Sequence, residues 1–415
     1  MKVLLSAYAC EPGKGSEPGV GWNWVRQIAR FHEVWVITRA NNRKPIEKAL
    51  ADNEMPNVHW IYFDLPAWAR FWKRGPRGVH AYYYLWQAGA YFVARRLQQK
   101  VCFDLVHHLT FVNYWMPSFL ALLPVPFVWG PVGGGESAPR SFWPSFSLRG
   151  RIHEIMRDLA RALAQLDPFV RITARRAAIA FSTTQATAAR LRALGCRSVH
   201  LFSESGLVED EIRRLGTHPP RQGHPFRLVS IGNVLHLKGF ELGLRAFAQF
   251  QGSFLHSAYW IIGEGPERKR LERLALELGV SDRVIFWGRL PRDQALEKLC
   301  ECDVLLHPSL HDSGGWVCLE AMAAGLPVIC LDLGGPAVQV TEETGIKVPA
   351  LSPEQVVSDL AATIGELAAR PERRTSMGNA GRDRVKLHFA WDRKAFKMME
   401  IYSQIAPVGQ RPESC

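Results

Sequence analysis

Along the first half of the chain, short apolar runs alternate with segments whose apolar residues recur every three or four positions. "KVLLSAYA", "EVWVITRA", "NVHWIYFDL", "FDLVHHLT" and "PFVWGPVGG" are strand-like, while "VGWNWVRQIARF" and a long amphipathic stretch ending at Lys100 are helical. Strands separated by helix-length segments predict a parallel sheet with helices on both faces. The rhythm then restarts: "FRLVSIG", "AYWIIGEG", "RVIFWGRL", "DVLLHPSL" and "PVICLDL" alternate with "KGFELGLRAFAQF", "ERKRLERLALELG", "DQALEKLC" and "WVCLEAMAAG". Two α/β domains are expected, each a doubly wound, Rossmann-like sheet, facing each other across a cleft. The polar "EDEIRRLGTHPPRQGHPF" lacks apolar periodicity and reads as the junction. The expected division is 1–208, a linker over 209–225, a second domain over 226–388, and a C-terminal helix and tail over 389–415 that pack back on the first domain.

At 415 residues the chain is long enough for two cores. Its 47% hydrophobic and 22% charged content excludes a disordered protein. The N-terminal apolar run is cut off by Glu11, as suits a buried strand rather than a secretion signal. The apolar region from Phe119 to Gly135 is broken by Pro124, Pro126 and Pro131, and is shorter than the ~20 residues that span a bilayer. Eight cysteines without a C-x-x-C pair fit reduced thiols in a cytoplasmic protein. A net charge of +12 points to an anionic partner, without choosing among nucleic acid, acidic lipid and phosphorylated small molecules.

Chemistry gathers in the loops that follow strands of the second half. "GNVLHLKG" carries Gly232, Asn233 and Lys238, and "GEGPERKR" begins at Gly263. "HDSGGWVCLE" opens a helix, so the amides around Gly314, Gly315 and Trp316 lie at the positive end of its dipole, a site suited to phosphate. Glu320, one turn in, can lean back toward a ligand at the helix start and accept paired hydroxyls such as those of a ribose. The competing reading is a solvated Glu on a surface helix. Asp312 has a competing reading too, as the helix N-cap.

These residues resemble the retaining glycosyltransferases of the GT-B fold, family 4, over nearly the whole chain and most strongly from Ile231 to Gly345. The family signature, two acids with seven residues between them leading into a phrase like "EAMAAGLPVI", stands here as Asp312 and Glu320. The resemblance implies a donor-binding set comprising Gly232, Asn233, Gly263, Arg289, Leu290, Ser313, Gly314, Gly315, Trp316 and Glu320, with Lys238 on the diphosphate and Glu320 on the ribose. It makes "WGRLP", Trp287 to Pro291, a lining of the base pocket. It likens "GSEPGVGWNW" to a glycine-rich loop that meets donor phosphate and acceptor through Gly19 and Gly21. It makes one of His107 and His108 the active-site histidine, and Asp312 a contact to the transferred sugar. The departures are an Asp for the first signature Glu, Asn233 for a customary Arg, and an adjacent His pair. The implied reaction retains anomeric configuration and uses a nucleoside-diphosphate sugar as co-substrate, with no cofactor and no metal; no D-x-D triplet is present.

Two segments, "ARFWKRGPRGVHAYYYLWQAGAYFVARRLQQK" and "RSFWPSFSLRGRIHEIMRDLARALAQLDPFVRITARR", mix basic and aromatic residues over helix lengths. This suits peripheral contact with an anionic membrane at its cytoplasmic face, and a saccharide acceptor carried on lipid, although core helices with basic outer faces give the same pattern. A nucleotide-sugar epimerase is the alternative within the fold. A dehydrogenase is disfavoured because no G-x-G-x-x-G follows the first strand, and no common nucleic-acid-binding motif appears.

Overall fold

The computed structural model describes residues 1–73, 78–218, 225–252, 254 and 256–406. The chain divides into two compact units, one made of 1–135, 158–204 and the chain from Lys394 onward, the other of 136–157 and 205–393.

The first unit is built on seven parallel strands: β1 (Lys2–Ala7), β2 (Glu33–Thr38), β3 (Val58–Tyr62), β4 (Leu105–Thr110), β5 (Phe127–Val132), β6 (Ala177–Ser182) and β7 (Val199–Leu201). Their order is β3-β2-β1-β4-β5-β6-β7. All six residues of β4 are buried, as are all six of β5, because helices cover both faces and neither face of a central strand meets water. The second unit carries six: β8 (Phe226–Ile231), β9 (Ser257–Ile262), β10 (Val284–Gly288), β11 (Val304–His307), β12 (Val328–Leu331) and β13 (Gly345–Val348), in the order β10-β9-β8-β11-β12-β13. Strand alternation divides its core in two. Leu228, Ile261, Val304 and Leu306 enter one cluster; Val229, Trp260, Ile262 and Leu305 enter the other.

The division differs from the sequence expectation in two places. Residues 136–157 belong with the second unit, where Phe142 and Phe146 join the cluster that holds Phe240 and Leu242. Part of the expected linker is a helix, Glu209–Gly216, with Ile212 and Leu215 buried. Two apolar residues three apart are enough for a helix this short, and too few to register as periodicity. The rest of that linker, 219–224, lies outside the described residues. The C-terminal helix, Trp391–Ile405, enters the first unit from Lys394 onward: Lys394 Nζ donates to the Ser203 carbonyl at 2.7 Å and lies over the Trp24 and Phe202 rings. Burial pulls its ammonium down to about 7. No described helix is long and apolar enough to cross a membrane. The seven described cysteines are free.

Candidate functional site

Sheets of this kind bind ligands beyond the carboxyl ends of the strands, where the strand order reverses direction. In the second unit that point lies between β8 and β11. The loops leaving these two strands converge there on one carboxylate. Lys238 Nζ lies 2.5 Å from Asp312 Oδ2, and His307, the last residue of β11, reaches the same oxygen through Nε2 at 3.1 Å. The other oxygen, Oδ1, accepts the Gly314 and Gly315 amides at 3.2 and 3.0 Å. Burial pushes the Asp312 carboxyl up, but the His307 hydrogen bond and the Lys238 charge outweigh it and hold the group well below the usual carboxylate range.

The Gly314 and Gly315 amides, read from the sequence as suited to phosphate, are here occupied by the protein's own carboxylate. An aspartate side chain is short enough to return to the backbone two and three residues on, and Asp312 takes both amides in this way. Asp312 is not itself the N-cap, as the competing reading had it: Gly315 holds that position, and the Trp316–Ala324 helix starts four residues after Asp312, whose carboxylate ties down the turn leading into it. Lys238 and the positive end of that helix consequently share one counter-ion.

Glu320 sits one turn inside the helix and is only 9% exposed, which excludes the solvated-surface reading. Its Oε1 lies 2.5 Å from Arg292 Nη2, and the other terminal nitrogen of Arg292 pairs with Glu211. Burial raises the affinity of the Glu320 carboxyl for its proton, and Arg292 opposes this without cancelling it. Arg292 thus ties together three helices, Glu209–Gly216, Arg292–Cys300 and Trp316–Ala324. The sequence reading overlooked it, although it stands three residues past Arg289. His307 was overlooked too, and its place at the end of a buried strand was the available signal.

The remaining donor-side residues border the same strand ends. Gly263 has φ +145°, and a Cβ there would lie 1.9 Å from the Gly232 carbonyl, so only glycine lets the turns after β8 and β9 approach this closely. Asn233 and Arg289 are exposed, while Ser313 and Leu290 are half-buried. Trp287 stacks edge-on with Trp260 at 5.3 Å and lies beneath Lys298, which leaves Arg289 and Leu290 as the more accessible part of their segment.

In the first unit, two expectations are corrected. Gly19 and Gly21 lie inside the Ser16–Ile28 helix, not in a loop. A Cβ on them would meet the Lys14 and Ala9 carbonyls at 2.0 and 2.2 Å, so they let the helix pack against the turn after β1. Neither histidine reaches a ligand-accessible surface: His107 and His108 are 0% and 1% exposed. Successive strand residues point to opposite faces, and both faces are covered. His107 Nε2 donates to the Gly130 carbonyl at 2.6 Å while Nδ1 meets the Tyr402 hydroxyl. On the other face, His108 Nε2 accepts from the Tyr83 hydroxyl at 2.8 Å and from Gln87 at 3.2 Å.

Burial lowers both rings to about 3, so each is neutral at physiological pH. The unfolded chain binds these protons below about 6.5, hence the stability they contribute is complete above that pH and is lost as the pH falls toward 3. The melting temperature of His108→Gln is expected to fall less steeply than the wild type's between pH 6.5 and 4; equal slopes would contradict this assignment.

The strand order of the first unit reverses between β1 and β4. There Glu17, missed by the sequence reading, accepts the Phe111 amide. Burial pushes its carboxyl up to about 7. Ser16 and Phe111 both adopt positive φ, +59° and +60°, so two strained residues flank this contact.

Residues 217–384 match the family model described as Glycosyl transferases group 1. The chain is 30% identical over 200 residues to a 2-deoxystreptamine glucosyltransferase of Streptomyces kanamyceticus, covering 48% of this chain and 50% of that protein. It is 32% identical over 165 residues to LpsD of Rhizobium meliloti, a lipopolysaccharide core biosynthesis glycosyltransferase, covering 40% and 46%. The chain thus spans about half the length of these relatives. Across 97% of this chain and 100% of the other, the fold superposes on HepE of Anabaena, solved with UDP and glucose, at a TM-score of 0.60 and 16% identity. Glycosyltransferases solved previously share this architecture, the GT-B fold of two Rossmann-like α/β domains.

Proposed function

We propose that the protein is a retaining glycosyltransferase of family 4 that takes a hexose-type sugar from a nucleoside-diphosphate sugar. Its acceptor is a saccharide carried on lipid, in cell-surface polysaccharide synthesis at the inner face of an anionic membrane. The observation that carries this reading is the meeting of Lys238, Asp312 and the start of a helix at the switch point of the second sheet, with Glu320 one turn behind. The match to group 1 glycosyl transferases over 217–384 supports it, as do the UDP and glucose bound by HepE and the lipopolysaccharide role of LpsD.

On this reading each group has a task. In the absence of donor, Asp312 holds Lys238 in place and neutralises it. An arriving diphosphate competes for the Lys238 ammonium, which then balances the charge that builds on the leaving group as the glycosidic bond breaks. Positive groups fixed in advance at the site of developing charge are the largest single source of such rate enhancement. Asp312 is then available to a hydroxyl of the transferred sugar. Glu320 accepts the ribose hydroxyls, and Arg292 keeps its carboxylate in position. The acceptor hydroxyl attacks from the face the diphosphate leaves, and its proton passes to the departing phosphate oxygen, so configuration at the anomeric carbon is retained.

A thermal-shift panel of UDP, GDP and ADP tests the donor assignment. A ligand present at 100 times its Kd stabilises the native state by about 2.7 kcal/mol, so at least one of the three is expected to raise the melting temperature. If none does, the reading fails.

A further inference from the structure

The Leu148–Ala164 helix is folded inside out. Its inward stripe is Gly150, Glu154 and Arg161, all buried, with Arg157 half-buried among them, spaced four, three and four residues apart. Gly150 rests on the His236 ring, where an added Cβ would approach to 3.2 Å. Glu154 is fully buried and pairs with Arg157, with His153 at 3.5 Å and with His236 at 3.9 Å; Arg161 lies 3.6 Å from Asp158. The opposite stripe, Leu148, Ile152, Ile155, Met156, Leu159 and Leu163, is the apolar one, and its members are between 51% and 74% exposed. Placing charges inside and large apolar groups outside reverses the arrangement water imposes on a surface helix. It is a low-energy arrangement only where the outer stripe meets a medium other than water.

We propose that this stripe is the element that inserts into the surface of an anionic lipid bilayer. Charge selects lipid over a second copy of the chain. Arg151 on the helix itself, Arg140 before it and Arg171 after it are all exposed, and the chain carries +12, so apposing two such faces would bring like charges together. An acidic headgroup layer with an apolar interior satisfies the cations and the stripe at once, as for helices that lie in the plane of a membrane. Leu166, 73% exposed, and Phe169, 40% exposed, follow soon after the helix in the chain. The first unit separately exposes Trp68 and Phe71 on either side of Arg70, again pairing aromatic and basic groups.

The inference identifies the membrane contact of the reading above and rests on that reading only for the acceptor. Its test contains neither donor nor acceptor, so its failure would leave the transferase assignment standing. The full chain is sedimented with vesicles of phosphatidylcholine alone, and with vesicles containing roughly one-third phosphatidylglycerol, at low salt and at 0.5 M NaCl. Binding is expected to the anionic vesicles and to weaken with salt. The double substitution Ile155→Glu/Leu159→Glu should lower it at least ~10-fold, with unchanged melting temperature because both side chains are exposed. The milder Ile155→Ser/Leu159→Ser pair serves if the first variant misfolds, and should also bind less. Wild-type protein that ignores anionic vesicles, or folded variants that bind them equally well, would overturn the proposal. A wild-type dimer in sedimentation velocity that either pair dissociates, without vesicle binding, would reassign the face to self-association and equally overturn it.

Discussion

Lys238→Ala is expected to lower turnover by roughly 100- to 1,000-fold, the usual cost of removing one preorganised group from a site of developing negative charge. The comparison with stability makes this informative. In the folded protein Lys238 pairs with Asp312, but Asp312 also holds His307 and the Gly314 and Gly315 amides. Loss of the lysine leaves three of its four partners in place. The expected cost in folding free energy is therefore about 1–2 kcal/mol, at the low end for one hydrogen bond to a charged group because the lysine is partly exposed. A melting curve recorded beside single-turnover kinetics separates the two effects. If Lys238 served only to anchor Asp312, turnover would fall no further than stability predicts. Equal turnover in the two proteins would remove Lys238 from the mechanism altogether.

The second large effect is expected from Glu320→Ala, as loss of nucleotide affinity. A buried carboxylate that accepts two ribose hydroxyls contributes hydrogen bonds to a charged group, so its removal should weaken binding of the stabilising nucleoside diphosphate by about 10- to 100-fold. The thermal shift given by that nucleotide should then largely disappear at the same concentration. Arg292 retains Glu211 when Glu320 is removed, so no isolated cation is left behind and the variant should fold. Glu320→Gln refines the measurement by preserving shape while removing charge. An undiminished shift in the alanine variant would mean that the carboxylate serves only to hold Arg292.

The contrast between these residues shows what the chain makes legible. Short apolar runs such as "FRLVSI" and "DVLLH" specify both strands and the loop positions after them, and those loops carry Lys238 and Asp312. Their meeting was implicit in the sheet order, which strand patterns alone do not supply. Local patterns were also silent on direction. The resemblance likens the segment of Gly19 and Gly21 to a phosphate loop, yet the same small residues serve equally where a helix must approach backbone carbonyls. The resemblance makes one of the adjacent histidines in "DLVHHLT" an active-site residue. On a strand covered on both faces, however, neighbours point oppositely and both are buried. Arg292, 28 residues from Glu320, and Glu17, 94 residues from Phe111, make contacts set by tertiary packing, which no window of sequence contains. The Leu148–Ala164 helix is the reverse case. Its mixed basic and aromatic composition over a helix length was legible, but which stripe faces inward depends on the protein groups behind it, and here these are His236 and paired charges.

The central claim is a location: the diphosphate of the donor binds where the loops after β8 and β11 converge. Hydrogen–deuterium exchange read by mass spectrometry, with and without saturating UDP, GDP or ADP, tests it without any substitution. The account predicts that at least one nucleotide slows exchange in peptides covering Gly232–Gly239 and His311–Ala324, above any change elsewhere in the second unit. Protection confined to other segments, or none with all three nucleotides, would contradict it.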